Sequence, residues 1–268
     1  MTASMMQTPR EDVSALFIPE GSEVVPTTFA VGPWRPDAVH GSAVAALFAA
    51  ALDEPESTVA RLTMDLLGAV PLQTLRLTVT DVEGGRRVRR RVAVLQHEDR
   101  VVAQAVALLV TESADLGLPT IEGSGVPNSP PKALSLLPAS RAGWPGFESQ
   151  SMALHTSHEG THTMLGWFRL LHPAIAGKPL TGLQMALAAA DYTSGGTAVV
   201  LSWKRWTFVS TDLTVNLARR PNDDWIGLAA KSTLGPAGIG VATGVLHDAA
   251  GEMAHCTQTQ FIEPRKHP

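Results

Sequence analysis

The residues that could do chemistry are few in this chain. Cys256 is its only cysteine. A thiol attacks efficiently only when a neighbouring base or positive charge activates it. Cys256 sits in MAHCTQTQF, which reads as a strand without a cysteine–histidine signature. No G-x-S-x-G elbow holds a serine nucleophile. No G-x-G-x-x-G fingerprint, P-loop or H-E-x-x-H helix is present. Covalent hydrolysis, hydride transfer and metal-assisted hydrolysis therefore recede, and no metal or cofactor is expected. His40 precedes the run HGSAVAALFAAALDE, where it shapes a pocket or caps a helix; capping is the commoner role. Arg86, Arg87, Arg89, Arg90 and Arg91 cluster beside a predicted turn. Arginine suits bidentate phosphate contact, but a solvated strand face that protects a sheet edge is the plainer reading. Lys204 and Arg205 lie between Trp203 and Trp206, an arrangement that covers an adenine or simply packs.

The elements that must position such residues are legible in outline. The Ala- and Leu-rich run after His40 predicts a helix with Ser42 as N-cap. PLTGLQMALAAADYTSGG predicts a second, with Thr181 as cap and Gly195–Gly196 in the loop beyond it. This second helix is apolar nearly all round, so it belongs inside. VARLTMDLL and TDLTVNLA alternate as half-buried strands do. Hairpins are predicted around Gly84–Gly85 and near Gly235–Pro236, with final turns at 98–99 and 249–251.

The two sets are copies. LTMDLL at 62–67 lines up with LTVNLA at 213–218, and VLQHEDRVVAQA at 94–105 with VLHDAAGEMAHC at 245–256. Both alignments need the same shift, 213 − 62 = 245 − 94 = 151. A constant shift marks an internal duplication, which outranks any single motif. One helix wrapped by antiparallel strands, twice, is an α+β layout. The expected organisation is a loose leader at 1–23, a first unit at 24–112, a Pro/Gly/Ser-rich linker at 113–149 and a second unit at 150–268.

Composition sets the outer bounds. The chain has 268 residues, 44% of them hydrophobic and 17% charged, enough apolar material for a core. Its net charge of −4 and 5% aromatics argue against nucleic acid as a partner. The longest apolar run, 43–52, is half of the roughly 20 residues a membrane span needs, so no membrane is expected. MTASMMQTPREDV lacks a basic stretch followed by an apolar one, which makes a cytoplasmic location the expectation.

A helix rolled in a curved antiparallel sheet is similar to the hotdog fold. Two copies in one chain resemble the double-hotdog acyl-CoA thioesterases, the acyl-CoA thioesterase II-like family. GPWRPDAVHGS at 32–42 resembles the G-x-W-x-P-x-x-x-H-G-G segment of actinobacterial members. ARLTMDLLGAVPL at 60–72 resembles the strand that follows, and DLTVNLARRPNDDWIGL at 212–228 its second-copy counterpart with an R-x-P-x-x-x-W tail. The resemblance covers about 24–112 and 160–265. It implies an acyl-CoA substrate, a role in lipid metabolism and a homodimer as the further assembly.

The resemblance also implies site residues. In the family an aspartate, a threonine and a glutamine hold the attacking water. Asp191 in ALAAADYTSGG matches the aspartate, Ser210 in FVSTDLTVNL the threonine, and Gln258 in MAHCTQTQF the glutamine. Thr211 is the alternative to Ser210 if the register slips by one, since a slip reverses the face. Gln260 shares the face of Gln258. Only Asp191 of the trio can act as a base; the others can donate or accept hydrogen bonds. His40, Gly41 and Ser42 are the expected substrate-binding residues. N–H groups near Gly41 or Gly182, at the helix starts, are candidates for an oxyanion hole. Ser42 departs from the second glycine of H-G-G and would narrow that approach; serine at 210 departs by losing a methyl. The expected reaction is hydrolysis of an acyl-CoA to acid and CoA. The alternatives are a non-catalytic acyl-CoA or lipid-binding hotdog, which the Ser42 departure motivates, and an enoyl-CoA hydratase or dehydratase. The last lacks its usual aspartate–histidine segment around Asp191.

Overall fold

A computed structural model describes residues 14–82, 84–113, 116–117, 135–137, 143–160, 162–222 and 224–265. The first half contributes β1 (Phe17–Glu20), β2 (Glu23–Pro26), helix α1 (Gly41–Leu52), β3 (Ser57–Leu66), β4 (Leu75–Val82), β5 (Val88–His97) and β6 (Arg100–Thr111). After the one-turn helix α2 (Phe147–Gln150) come β7 (Met152–Glu159), β8 (Thr163–Leu170), α3 (Gly182–Ala190) and α4 (Gly195–Val200). The chain ends with β9 (Trp206–Ser210), β10 (Asp212–Leu217), β11 (Ile226–Leu234), β12 (Ile239–Asp248) and β13 (Gly251–Pro264).

The strands form one sheet in the order β1-β2-β4-β5-β6-β3-β10-β13-β12-β11-β8-β7, with β9 paired to β13. Every named pair is antiparallel, and the expected hairpins β4–β5 and β11–β12 are among them. The halves join where β3 meets β10, with Thr63 opposite Thr214 and their hydroxyls 3.1 Å apart. These threonines are separated by 151 residues, the duplication shift. In an antiparallel pair related by a twofold, a residue faces its own copy only on the axis, so the pseudo-dyad runs between them. The layout is α+β, a double hotdog.

Both long helices are buried. Ten of the twelve residues of α1 are alanine, valine, leucine or phenylalanine, and α1 packs on α3 and on the inner sheet face. With no polar face to present to water, an isolated α1 would expose its apolar surface all round, so burial between sheet and partner helix is what stabilises it.

Four local expectations are corrected. The cap of α1 is His40 rather than Ser42: His40 Nδ1 accepts the Ser42 N–H at 3.0 Å. Thr181 caps α3 as expected. Gly195 and Gly196 do not lie in a loop; they open α4. A Cβ on Gly195 would fall 2.2 Å from Met164 Sδ, and one on Gly196 2.8 Å from the Lys231 backbone. The glycines let α4 lie directly on β8 and β11. Residues 1–13 of the expected leader lie outside the described residues, but the rest is not loose. Leu16 and Phe17 are fully buried, and their N–H groups bond Pro173 O and Ala174 O of the second half. Most of the linker likewise lies outside the described residues, yet its last part is core. Phe147 is fully buried, its N–H bonds Val31 O, and the Trp144 indole N–H bonds Gly32 O at 2.9 Å.

Candidate active site

The pseudo-dyad places the start of α1 beside the end of α3. Asp191 is the C-cap of α3 and opens a 3-10 turn (Asp191–Ser194). Its side chain projects onto the first turn of α1. Ser42 Oγ donates to Asp191 Oδ2 at 2.9 Å, and Gln258 Nε2 donates to Asp191 Oδ1 at 2.9 Å and to Asp191 O at 3.2 Å. The carboxylate is only 7% exposed and Gln258 1%. Each oxygen thus has one donor, and the positive end of a twelve-residue helix lies alongside.

Burial pushes the Asp191 carboxyl up to about 6, although the bonds from Ser42 and Gln258 pull it down. Burial lowers His40 to about 3, so its imidazole is neutral near pH 7. His40 Nδ1 lies 3.6 Å from Asp191 Oδ2. This is no ion pair: Nδ1 already accepts the Ser42 N–H, so it carries no proton to share. His40 is a neutral wedge instead, its ring 4.7 Å from that of Phe147 and 5.8 Å from that of Tyr192.

Gly41 is tightly constrained. A Cβ there would lie 2.8 Å and 2.9 Å from the two Asp191 oxygens. Gly41→Ala should therefore displace the carboxylate, and a misplacement near 1 Å costs about a hundredfold in rate. Steady-state kinetics with a thermal melt checks this. A fall in melting temperature with unchanged kcat would mean that the contact serves packing alone.

Of the residues expected from sequence, the fold brings Asp191, Gln258, Ser42, Gly41 and His40 together. Ser210 stands apart. It faces Gln260 across the β9–β13 ladder and so shares the inner face with Gln260 and Gln258, but it makes no hydrogen bond with Asp191 or Gln258. The alternative residue, Thr211, does not fit. It is exposed and its hydroxyl donates to Thr259 O at 3.1 Å on the other face. The second candidate oxyanion site, at Gly182, lies at the opposite end of α3 from Asp191; it lines a cleft with Thr181, Asp53, Thr58 and Arg220, and Pro221 O lies 2.7 Å from where a Gly182 Cβ would be. Arg219 anchors that loop through two 2.6 Å bonds to the buried Asp248 carboxylate. Burial opposes ionisation of Asp248, but the bonds from Arg219, Asn222 N–H and Ala250 N–H hold its carboxyl below the ordinary range.

Sequence reasoning missed the Ser42–Asp191 bond and the Phe147 ring. Phe147 lies in a stretch with no period to reveal it. Two orphan groups complete the picture. Gln258 Oε1 and Gln260 Nε2 are buried without a hydrogen-bond partner. Buried polar atoms rarely stay unpaired, so an unbonded acceptor beside a carboxylate marks a place for a donor such as water. The orientation of Gln258 is chemically fixed, because a flipped amide would set its oxygen against Asp191 O and Oδ1. Cys256 is no rival nucleophile: burial pushes its thiol up to about 11, and it lies 3.0 Å from Thr193 Oγ1. Among the described residues no cluster of His, Cys, Asp and Glu could hold a metal, and no helix is long and apolar enough to cross a membrane.

Among the described residues the first half carries no second copy of the Asp191–Gln258 pair. Counted from the helix caps, Asp191 corresponds to Ala50, and the residue 151 before Gln258 is Ala107. Residues 30–110 match the acyl-CoA thioesterase N-terminal domain, and residues 123–262 match the acyl-CoA thioesterase C-terminal domain. The chain belongs to the acyl-CoA thioesterase family. Solved structures agree on the fold. An acyl-CoA thioesterase II from Mycobacterium marinum is 17% identical, with 92% of this chain and 95% of that one covered at a TM-score of 0.64. A protein of unknown function with a hot dog fold from Alicyclobacillus acidocaldarius is 16% identical, with 94% and 97% covered at 0.71. No curated protein matches the chain.

Proposed function

We propose that this protein hydrolyses an acyl-CoA thioester, with Asp191 as general base for a water held between Asp191 and Gln258. The observation that carries the reading is the buried carboxylate beside the unpaired Gln258 Oε1. A water there donates one hydrogen to Asp191 and the other to Gln258 Oε1, which turns a lone pair towards the thioester carbon. As the C–O bond forms, Asp191 takes the proton, and the carbonyl oxygen gathers charge at the start of α1, near the Gly41 N–H. Collapse breaks the C–S bond. The thiolate leaves with the proton that Asp191 gives up, and the acid remains. A carboxyl pushed up to about 6 is a stronger base than an ordinary aspartate and is still ionised at pH 7.

Ser210 enters this reading as a neighbour of the water's far side, through Gln260, rather than as a ligand of the carboxylate. His40 holds the Ser42 N–H and so orients the α1 start.

The test is thiol release across acyl-CoA chain lengths, with a thermal melt on the same samples. The proposal expects turnover of at least one chain length. Stabilisation by acyl-CoA without thiol release would instead make this a binding protein.

Ser42 gives a second check. Its hydroxyl donates to the ionised carboxylate, and such a bond contributes about 1.5–3 kcal/mol. Ser42→Ala removes the donor, so the Asp191 carboxyl should rise further. The acid limb of the kcat/KM profile, expected near pH 6, should move up by about one pH unit. An unmoved limb would show that Ser42 does not act on the base.

A further inference from the structure

The segment ahead of α1 and the end of β13 meet at a cluster that the reaction above does not use. Arg265 lies between two indoles, its guanidinium carbon 5.5 Å from the Trp34 ring centre and 5.2 Å from that of Trp203. Trp34 stands edge-on to Phe208 at 5.3 Å. The Arg265 N–H bonds Arg205 O at 3.0 Å, which brings the exposed Lys204 and Arg205 beside the stack. Among the described residues Lys204, Arg205 and Arg265 form no ion pair, while the nearby Arg35 is already neutralised by Asp37. Glu263, two residues before Arg265, is the one acid on this end of the strand. Three uncompensated cations around stacked rings, on a chain of net charge −4, form an anion site with an aromatic wall.

The cluster sits just past the end of β13, the strand that carries Gln258. Phe208 faces Ile262 and Ser210 faces Gln260 in the β9–β13 ladder, and Gln258 follows on the same inner face. From Pro264 to Gln258 is six residues, about 20 Å of strand. That is the reach of an extended pantetheine arm. Trp34 also lies on the segment that delivers His40 and Gly41, so both ends of the path are tied to one stretch of chain.

We infer that the Trp34–Arg265–Trp203 stack, with Lys204 and Arg205, docks the phosphorylated nucleotide of the CoA thioester. This rests on the CoA-ester reading above, at the opposite end of the ligand from the reacting carbonyl. The adenine lies against an indole face and the phosphates meet the cations.

Calorimetric titration of the full chain with adenosine 3′,5′-diphosphate tests it, with inorganic phosphate as the control ion. The wild type should bind the nucleotide more tightly than phosphate. Arg265→Glu and the pair Lys204→Glu/Arg205→Glu should each weaken binding about tenfold or more, the value of charge-assisted contacts. Arg265→Lys, which keeps the charge but loses the flat stack, should fall between. In turnover, the preference in kcat/KM for acyl-CoA over acyl-pantetheine should collapse towards one in the charge-reversed variants, through KM. No nucleotide binding by the wild type, or binding untouched by charge reversal in a chain that melts normally, overturns the docking site. If acyl-pantetheine is then still hydrolysed, the hydrolase reading survives alone. Nucleotide binding that charge reversal abolishes, with no thiol released from either ester, supports the docking site and removes the hydrolase.

Discussion

Asp191→Asn should lower kcat by about a thousandfold or more, the upper part of what a positioned general base contributes. The variant should still fold. The amide oxygen can accept from Gln258 Nε2, and its NH₂ can donate to Ser42 Oγ, so the contacts survive while the base does not. Stability should even improve at neutral pH. Burial opposes the charge and pushes the folded carboxyl up to about 6, from about 3.9 for an ordinary aspartate. A raised carboxyl favours the folded state only while protonated. Its contribution is therefore present below about pH 4 and is lost as pH rises through about 6. Above that, ionised Asp191 costs up to about 3 kcal/mol, two pKa steps at 1.36 kcal/mol each. Asn carries no such cost. Denaturant unfolding at pH 4 and pH 8 should show wild type losing stability between them by this amount relative to Asp191→Asn. An inactive variant that is also severely unstable at pH 8 would make Asp191 a structural residue.

Gln258→Ala has the next largest expected effect, a fall in kcat of about a hundredfold. Two losses combine. The carboxylate loses the Nε2 donor on Oδ1, and the water loses its second acceptor, Oε1. The first should also move the acid limb of the pH profile up, since a donor to the charged form is gone. Gln258→Glu separates the two. It restores an acceptor for the water but sets a second carboxylate beside Asp191, so the acid limb should climb higher still. If kcat falls in Gln258→Ala while the limb stays near pH 6, the glutamine does not touch the base.

How far these residues could be read from sequence follows from what each signal depends on. The helices α1 and α3 and the strands β3–β6 and β10–β13 show because apolar periodicity is local, and the constant shift of 151 even fixes the axis at Thr63 and Thr214. β1, β2, β7, β8 and β9 do not show. They are short or mixed in composition, and their strand character comes from long-range pairing, as when Phe17 reaches Ala174. Asp191 and Gln258 were legible only through the resemblance, since an aspartate at a helix end and a glutamine on a strand carry no sign of their partner. Ser42 was readable as a departure that narrows the approach to the helix. Its actual geometry, a donor to a carboxylate 149 residues away, depends on how two helices cross. Phe147 was hidden for a different reason: a lone aromatic in a Pro/Gly-rich stretch looks like a loop until the core closes over it.

The central claim is that water, activated by Asp191, attacks the thioester carbon directly. A single turnover in ¹⁸O-enriched water, with enzyme in excess over acyl-CoA, tests it most simply. Direct attack predicts one ¹⁸O atom in the acid released in that first turnover and none in the peptide that carries Asp191. Unlabelled acid with ¹⁸O appearing in Asp191 would mean that the carboxylate attacks first and forms an anhydride, which contradicts the account.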